Sequence, residues 1–296
     1  MEDHKYTEVA PGIWGMKIVF VNIYMVATGP DEWVLIDAGL KGSTCRIKKM
    51  AEELFGEDNP PAAIILTHGH FDHVGALHEL LKTWNVQVYA HLQETPYLTG
   101  QNAYPPADPS VGGGLMSLLS VMYPNKPINL GSRIHALAKD GSLPKMPDWI
   151  YIHTPGHTPG HISLFRGRDK VLIAGDAFVT TKAESALSVF SNRKAISGPP
   201  KYFTPNWISA ALSVRKLRDL RPAIAATGHG PTMSGEELSE GLEELVDQFK
   251  EIAIPRTGRY VSEQFPTETV SRTLLGAVVA ISAVVAFSLF SQMRKQ

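Results

Sequence analysis

The chain has 296 residues, of which 44% are hydrophobic and 19% are charged, and its formal net charge is -1. This composition is typical of a globular protein with a large core, and it argues against a disordered chain. The 28 basic and 29 acidic residues are spread along the sequence, so no basic patch indicates a nucleic-acid partner. Cys45 is the only cysteine, which excludes an intramolecular disulfide and a thiolate-rich metal cage.

The N-terminal part of the chain is predicted to be rich in β-strands. The apolar runs IVFVNIYMVA and EWVLID are separated by a turn around Gly29, Pro30 and Asp31, which indicates a hairpin leading to Asp37. The residues before these runs lack the basic and apolar segments of a secretory signal. Together with the single cysteine, this favours a cytoplasmic catalytic domain.

Helical periodicity is clearest in three later segments. We predict helices over residues 43–55, 206–220 and 235–252, where charged and apolar residues alternate at helical spacing. Ser234, with Glu237 three residues further on, predicts a capping box at the start of the last helix.

Several predicted strands end in a His or Asp beside a Gly or Pro. The runs are AAIILTHGH, DWIYIHTPGH, KVLIAGD and AIAATGH. Side chains at the ends of neighbouring strands can converge on one edge of a sheet, where turns determine their direction. We therefore expect a functional site at this edge.

The densest group of metal-binding residue types lies between the run AAIILT and the next predicted helix. His68, His70, Asp72 and His73 fall within six positions there, and His and Asp are good ligands for divalent metals such as zinc. In an extended turn, alternate residues point the same way, so His68 and His70 can bind one ion while Asp72 and His73 face a neighbouring one. The alternative is a solvated turn that happens to be rich in histidine.

The motif HGHFDH resembles the His-x-His-x-Asp-His signature of the metallo-β-lactamase superfamily. The resemblance extends to TPGH at His157, AGD at Asp176 and TGHG at His229, in that order, and covers roughly residues 12–252. It implies an α/β fold of the αββα type, a four-layer sandwich with two sheets between helices. It also implies a metal-dependent hydrolase.

The resemblance assigns two metal ions per chain, which we expect to be zinc, although other divalent metals would suit the same ligands. His68, His70 and His157 would hold the first ion, and Asp72, His73 and His229 would hold the second. Asp176 would bridge both. A bridging water would lose its proton near neutral pH, since metals lower the pKa of bound water from ~15.7 to about 7. We expect catalysis to rest on this metal-bound hydroxide and on Asp72, with Asp37 supporting the ligands.

The remaining histidines are not predicted to bind metal. His161 begins the next apparent strand, and His78 is turned away from the metal-facing side of its helix. His91 ends a strand and could line the rim of the site. His4, His135 and His153 have no supporting pattern.

The bridging Asp176 favours the lactonase, glyoxalase II and phosphodiesterase branches over the β-lactamases proper. Our expectation is hydrolysis of a small ester-like substrate, a lactone ahead of a thioester, with a phosphodiesterase as a further alternative. Lactonases of this family carry a Tyr three residues after the bridging Asp, whereas this chain has Val179. The tyrosines that could replace it are Tyr24, Tyr104, Tyr123 and Tyr202. A glyoxalase II would need basic residues for glutathione, and the candidates are Arg193, Lys194 and Lys201.

The domain plan has three parts. Residues 1–255 form the catalytic domain, with a lid-like insertion at about 92–148 that a Pro-containing stretch at 183–205 could flank. Residues 256–272 are a linker. Residues 273–291 contain no ionisable side chain and are long enough for a membrane anchor, although a buried or dimerisation helix would have the same pattern. A membrane-tethered binding module that kept its metal site is the non-enzymatic alternative.

Overall fold

The computed structural model describes residues 6–264, which form two mixed β-sheets with helices on their outer faces. The first sheet has seven strands in sequence order: β1 Thr7–Ala10, β2 Ile13–Ile18, β3 Val21–Ala27, β4 Trp33–Ile36, β5 Ala63–Ile65, β6 Val88–Ala90 and β7 Ile134–Ala136. The second sheet has the strand order β12-β11-β10-β9-β8, built from β8 Trp149–His153, β9 Ile162–Arg166, β10 Val171–Ile173, β11 Ile224–Ala226 and β12 Met233–Ser234.

Ten α-helices complete the described part of the chain. The helices that precede β8 are α1 Thr44–Phe55, α2 Phe71–Val74, α3 Leu77–Thr83, α4 Thr95–Leu98 and α5 Leu115–Leu119. Those that follow β10 are α6 Ala186–Phe190, α7 Trp207–Asp219, α8 Gly235–Asp247, α9 Phe249–Ile252 and α10 Arg259–Gln264.

Three apolar clusters hold the layers together. One joins the inner faces of the two sheets, where Val34 and Ile65 of the first sheet share a core with Leu164 and Ile173 of the second. The other two pack α1 and α3 against the first sheet, and α7 and α8 against the second. Each sheet is therefore buried on both faces, which explains why its strands read as continuous apolar runs. The predicted four-layer sandwich is confirmed.

Local elements differ from the prediction in three places. The run IVFVNIYMVA is divided between β2 and β3 because the chain turns at Val19, whose φ is 60°. The predicted final helix breaks at Gln248 into α8 and α9. The capping box does not form, since Ser234 pairs in β12 and its side chain makes no cap hydrogen bond, while Glu237 lies 3.3 Å from Lys194 Nζ.

The segment predicted as an insertion at 92–148 is partly built into the body of the fold. It contributes β7, which pairs in parallel with β6 at the edge of the first sheet. In the segment predicted as a linker, α10 lies against α7 and the 106–110 region. The apolar run 273–291 lies outside the described residues. Within 6–264, no helix has the length and apolar character needed to cross a membrane.

Candidate metal centre

The predicted ligands all lie in segments that follow strands, five of them in loops and two in a short helix. His68 and His70 follow β5, whereas Asp72 and His73 lie in the short α2. His157 lies in the turn between β8 and β9, Asp176 follows β10, and His229 follows β11. Because β4 and β5 are parallel, as are β10 and β11, the carboxyl ends of these strands open at one edge of the sandwich.

At this edge the structure brings all seven predicted ligands together, and all seven are buried. Three groups of ligand atoms lie within 4.8 Å of one another: His68, His70 and His157; His68, His73 and Asp176; and Asp72, His73 and His229. The first and third groups correspond to the two sites expected from the resemblance. The second contains Asp176 and joins them.

The carboxylate of Asp176 lies at the middle of the cluster. Its Oδ2 is 3.1 Å from His229 Nε2, 3.4 Å from His157 Nε2 and 3.7 Å from His73 Nε2. His229 Nε2 is also 3.5 Å from Asp72 Oδ2. One carboxylate therefore faces rings from both predicted sites, which is the position that a bridging ligand requires.

The far ring nitrogen of several histidines is already hydrogen-bonded. His73 Nδ1 donates to Asp37 Oδ2 at 2.8 Å, and His229 Nδ1 donates to the carbonyl of Phe20 at 2.7 Å. His157 Nδ1 lies 3.2 Å from Thr204 Oγ1, a hydroxyl that donates onward to a carbonyl. With Nδ1 held as the donor, each ring in its neutral form would present the Nε2 lone pair to a metal ion in the cluster.

Asp37 orients the cluster through three hydrogen bonds. Its carboxylate accepts from the backbone N–H of Thr67, from Thr67 Oγ1 and from His73 Nδ1, at 2.7–2.8 Å. Since the Thr67 hydroxyl donates to Asp37, it accepts from His68 Nδ1 at 3.1 Å. One buried carboxylate thus sets the tautomers of His68 and His73.

The donor set fits divalent cations. Three buried atoms that face the cluster have no hydrogen-bond partner: His68 Nε2, His73 Nε2 and Asp176 Oδ1. Buried polar atoms without a partner are costly, and a metal ion would satisfy these three. The nitrogen and oxygen donors are those that zinc and similar divalent metals prefer.

The electrostatics of the cluster depend on the mutual effects of its buried imidazoles and carboxylates. Burial lowers the pKa of His70 to about 3 and holds the pKa of His68 and His157 well below the ordinary value, so these rings are neutral. Burial opposes ionisation of Asp176 too, yet His229 and His73 outweigh it and hold the Asp176 pKa well below its usual range. Burial also opposes protonation of His73 and His229, but the nearby carboxylates outweigh it and raise the pKa of both rings. A metal ion would displace the protons from these two rings, since metal binding requires neutral imidazoles and ionised carboxylates.

His161, which the prediction leaves out of the ligand set, lies behind the cluster, where it contacts the backbone. Its Nε2 accepts from the N–H of Asp176 at 2.8 Å, and its Nδ1 lies 2.9 Å from Thr154 Oγ1. The preceding Gly175 has φ +55°, and a Cβ there would lie 2.6 Å from His161 Nε2. Gly228 is equally constrained, because its Cβ would lie 1.9 Å from Asp176 Oδ1.

Glu94 is a buried residue of the site that the sequence analysis missed. Its Oε1 accepts from Thr158 Oγ1 and from the N–H of Gly160, both at 2.7 Å. Its Oε2 accepts from the N–H of Gly69 at 3.1 Å and from the hydroxyl of Tyr104. One carboxylate therefore ties the turn that carries His68 and His70 to the turn that carries His157. No local pattern marks Glu94, since its partners come from distant parts of the chain.

Aromatic side chains surround the mouth of the site. The ring of Phe203 stacks on His70 with centroids 4.5 Å apart, and Tyr104 packs against the same imidazole at 4.6 Å. Phe71 and Tyr123 pack against the buried cluster of Val111, Met116, Tyr202 and Phe203. The mouth is therefore apolar, and it is formed by the insertion and by the 183–205 stretch.

The four tyrosines considered as replacements for Val179 differ in their hydroxyls. The hydroxyl of Tyr24 donates to the carbonyl of Thr227 at 2.7 Å, and that of Tyr104 donates to Glu94. Tyr123 lies at the mouth, where burial and the nearby Asp72 carboxylate raise its pKa. Tyr202 is buried beside it, with ring centroids 5.6 Å apart.

The other histidines of the described region lie away from the cluster. His78 is exposed on α3, a helix separate from α2, and His135 pairs with Gln87 on the surface. His91 and His153 stack on each other with centroids 4.0 Å apart, and burial together with His153 lowers the pKa of His91 to about 4. His4 lies outside the described residues.

Comparisons with known proteins agree with this geometry. The profile of the metallo-beta-lactamase superfamily matches residues 16–229. A probable metallo-hydrolase of Bacillus subtilis, YflN, is 44% identical over 247 residues, which are 83% of this chain and 94% of that protein. The hydroxyacylglutathione hydrolase GloC of Haemophilus influenzae is 28% identical over 48% of this chain and 59% of its own length. An archaeal metallo-beta-lactamase superfamily protein from Sulfolobus tokodaii shares the fold, with a TM-score of 0.54, 20% identity and coverage of 94% and 95%.

Proposed function

Since the chain belongs to the metallo-β-lactamase superfamily, we propose that it is a dinuclear metallohydrolase of small ester-like substrates. The observation that carries this proposal is the position of Asp176 Oδ2 between His73, His157 and His229, at 3.1–3.7 Å from their Nε2 atoms. A carboxylate placed in this way suits a bridge between two ions.

In this proposal the seven clustered residues hold two divalent ions. They are His68, His70, Asp72, His73, His157, Asp176 and His229. Zinc is the preferred metal, because the donors are imidazole nitrogens and carboxylate oxygens. When bound there, two such ions supply a hydroxide at neutral pH and polarise a carbonyl.

The chain's own residues have three tasks in this reaction. Asp37 and Thr67 hold His68 and His73 in the tautomers that present Nε2 to the site. Asp72 lies beside His229 at the mouth, where a carboxylate can bind metal and accept a proton. We assign to Tyr123 the contact with the substrate carbonyl that lactonases make through the tyrosine missing here.

A lactone or another small neutral ester is the favoured substrate. The mouth is lined by Phe71, Tyr123 and Phe203, which suit a partly apolar molecule. Of the three basic residues considered for glutathione, Arg193 and Lys194 are exposed, whereas Lys201 is partly buried and directly precedes Tyr202 and Phe203. A hydroxyacyl thioester is the second candidate, favoured by the similarity to GloC.

Two measurements test the proposal. Elemental analysis of the purified protein should give about two divalent ions per chain, and a value of one at saturation would contradict the dinuclear site. A hydrolysis panel should then compare lactones, hydroxyacyl thioesters, phosphodiesters and β-lactams, with Asp176→Asn as the inactive control. Turnover of phosphodiesters alone would reassign the reaction. Two bound ions without turnover of any member would favour a binding module.

A further inference from the structure

Two segments beside the mouth of the metal centre expose an unusual share of apolar side chains. Ten large hydrophobic residues are exposed within 6–264, and five of them lie in residues 109–127 and 181–203. These five are Leu115, Val121, Met122, Leu187 and Phe190. Leu187 is 79% exposed and Phe190 is 60% exposed. We call these five residues the apolar rim.

The rim is continuous with the aromatic mouth. Met116, next to Leu115, and Ala186, next to Leu187, pack in the same cluster as Phe203, whose ring stacks on His70. The backbone N–H of Met116 donates to the carbonyl of Glu184 at 3.0 Å, which joins the two segments. The rim is therefore the outer layer of the opening through which a substrate reaches the metal centre.

Charge around the rim is positive, although the whole chain is slightly acidic. Residues 109–127 contain one basic residue, Lys126, and no acidic residue. Residues 181–203 contain four basic residues, of which Lys194 pairs with Glu237 at 3.3 Å, and one acidic residue, Glu184, which is buried. An exposed apolar patch flanked by lysine and arginine is complementary to the anionic headgroups and the hydrocarbon of a phospholipid surface.

The C-terminal part of the described chain ends near the rim. The hydroxyl of Tyr260 donates to the carbonyl of Pro106, and Thr257 Oγ1 donates to the carbonyl of Ser110 at 2.9 Å. Both contacts hold α10 against the segment that leads into α5. Eight residues separate Gln264 from the uncharged apolar run 273–291, and they can span at most about 28 Å. The apolar run therefore begins within about 28 Å of the end of α10.

We propose that the mouth of the metal centre docks on a phospholipid bilayer, with the apolar rim in the headgroup region and the flanking basic residues on anionic lipids. Substrate would then enter from the membrane surface. This inference does not depend on which bond the enzyme hydrolyses. It predicts a defined orientation of the domain, with the rim towards the lipid and the far end of the second sheet away from it.

The single cysteine allows a direct test in the full chain. In a Cys45→Ser background, Leu187→Cys places one fluorophore on the rim, and Ile150→Cys places it on an exposed residue of β8 as a matched control. Both proteins are mixed with anionic phosphatidylglycerol vesicles, with and without brominated acyl chains. We expect brominated chains to reduce emission at position 187 by about twofold or more and to leave position 150 unchanged. Adding Lys182→Glu and Arg193→Glu should weaken the quenching at 187.

Other results would overturn the proposal. Equal quenching at both positions, or none at 187, would show that the rim has no preferred contact with lipid. Emission at 187 that is blue-shifted without vesicles would show that protein already covers the rim. If this blue shift depends on protein concentration, a second copy of the chain covers the rim. If it does not, the chain's own C-terminal segment covers it.

Discussion

Replacing Glu94 by Gln should destabilise the protein and loosen its metal centre, although the two side chains have nearly the same shape. Each oxygen of the Glu94 carboxylate accepts from one backbone N–H, Oε1 from Gly160 and Oε2 from Gly69. An amide has only one acceptor oxygen, so in either orientation its NH2 group meets one of these backbone donors. The hydroxyls of Thr158 and Tyr104 can rotate, but the backbone donors cannot.

The magnitude follows from the number of buried donors left without an acceptor. A buried donor without an acceptor costs about 1–3 kcal/mol. The N–H of Gly69 has a second acceptor, the hydroxyl of Tyr104 at 3.0 Å, so Glu94→Gln should lower the free energy of unfolding by an amount near the lower end of this range, about 1 kcal/mol. Glu94→Ala also deprives the N–H of Gly160 of its carboxylate acceptor and should cost more, about 1–3 kcal/mol. The metal centre should weaken in parallel, because Gly69 lies between His68 and His70 while Gly160 and Thr158 hold the turn of His157.

Urea unfolding of the metal-loaded protein measures the first effect, and competition with a chromophoric chelator measures the second. The matched control is Glu79→Gln, which alters an exposed carboxylate that pairs with Lys82 at 2.7 Å and should leave both measurements unchanged. If Glu94→Gln matches the wild type in unfolding midpoint and metal affinity, then Glu94 does not hold the two turns together and the reasoning fails.

Three further predictions concern the metal centre and its surroundings. Asp176→Ala should lower occupancy of both metal positions together in elemental analysis, because its carboxylate faces rings of both positions. The control His78→Ala changes an exposed side chain and should retain both ions. If Asp176→Ala loses only one ion, Asp176 does not bridge the two positions. Tyr123→Phe should reduce kcat/KM on the best substrate by about tenfold with metal content unchanged, if its hydroxyl stabilises the transition state; unchanged kinetics would remove Tyr123 from the site. Burial and, to a smaller extent, His153 lower the pKa of His91 to about 4, so His153→Ala should raise this pKa part of the way towards 6.5 when measured by NMR titration. Because the folded-state pKa of His91 is lowered, the unfolded chain binds this proton first, and the free energy of unfolding decreases as the pH falls from 6.5 towards 4. This decrease in stability should be smaller in His153→Ala.

Much of the metal centre could be predicted from the sequence because the candidate ligands stand in the first few residues after strands or, for Asp72 and His73, in the short helix that follows. Apolar runs that end in Gly- or Pro-containing turns mark the strand ends, and parallel neighbouring strands open at the same edge. The four-layer fold was implied by the resemblance of these motifs to the metallo-β-lactamase superfamily, and strands that are apolar on both faces agree with it. His78 and His161 were set aside by local pattern, and the structure places neither in the cluster.

Short-range patterns failed where a tertiary contact or a backbone turn overrode them. The strand predicted through Val19 is broken by a residue with positive φ. Ser234 pairs with Ile224 through its backbone, and its side chain makes no cap hydrogen bond. Neither the turn at Val19 nor the missing cap at Ser234 changes the hydrophobic pattern of the sequence, so that pattern could not reveal them.

The sequence motifs, through the family resemblance that they carry, indicated the four-layer fold and the set of candidate ligands, because residue types and their spacing are features of the chain alone. Only the tertiary structure decided which ring nitrogen of each histidine faces the cluster and which carboxylate ties the turns together. His229 is oriented by the carbonyl of Phe20, 209 positions away, and Glu94 reaches Gly160 across 66 positions. Hydrogen bonds between such distant residues exist only once the two sheets have packed, and nothing in the local sequence around either partner specifies them.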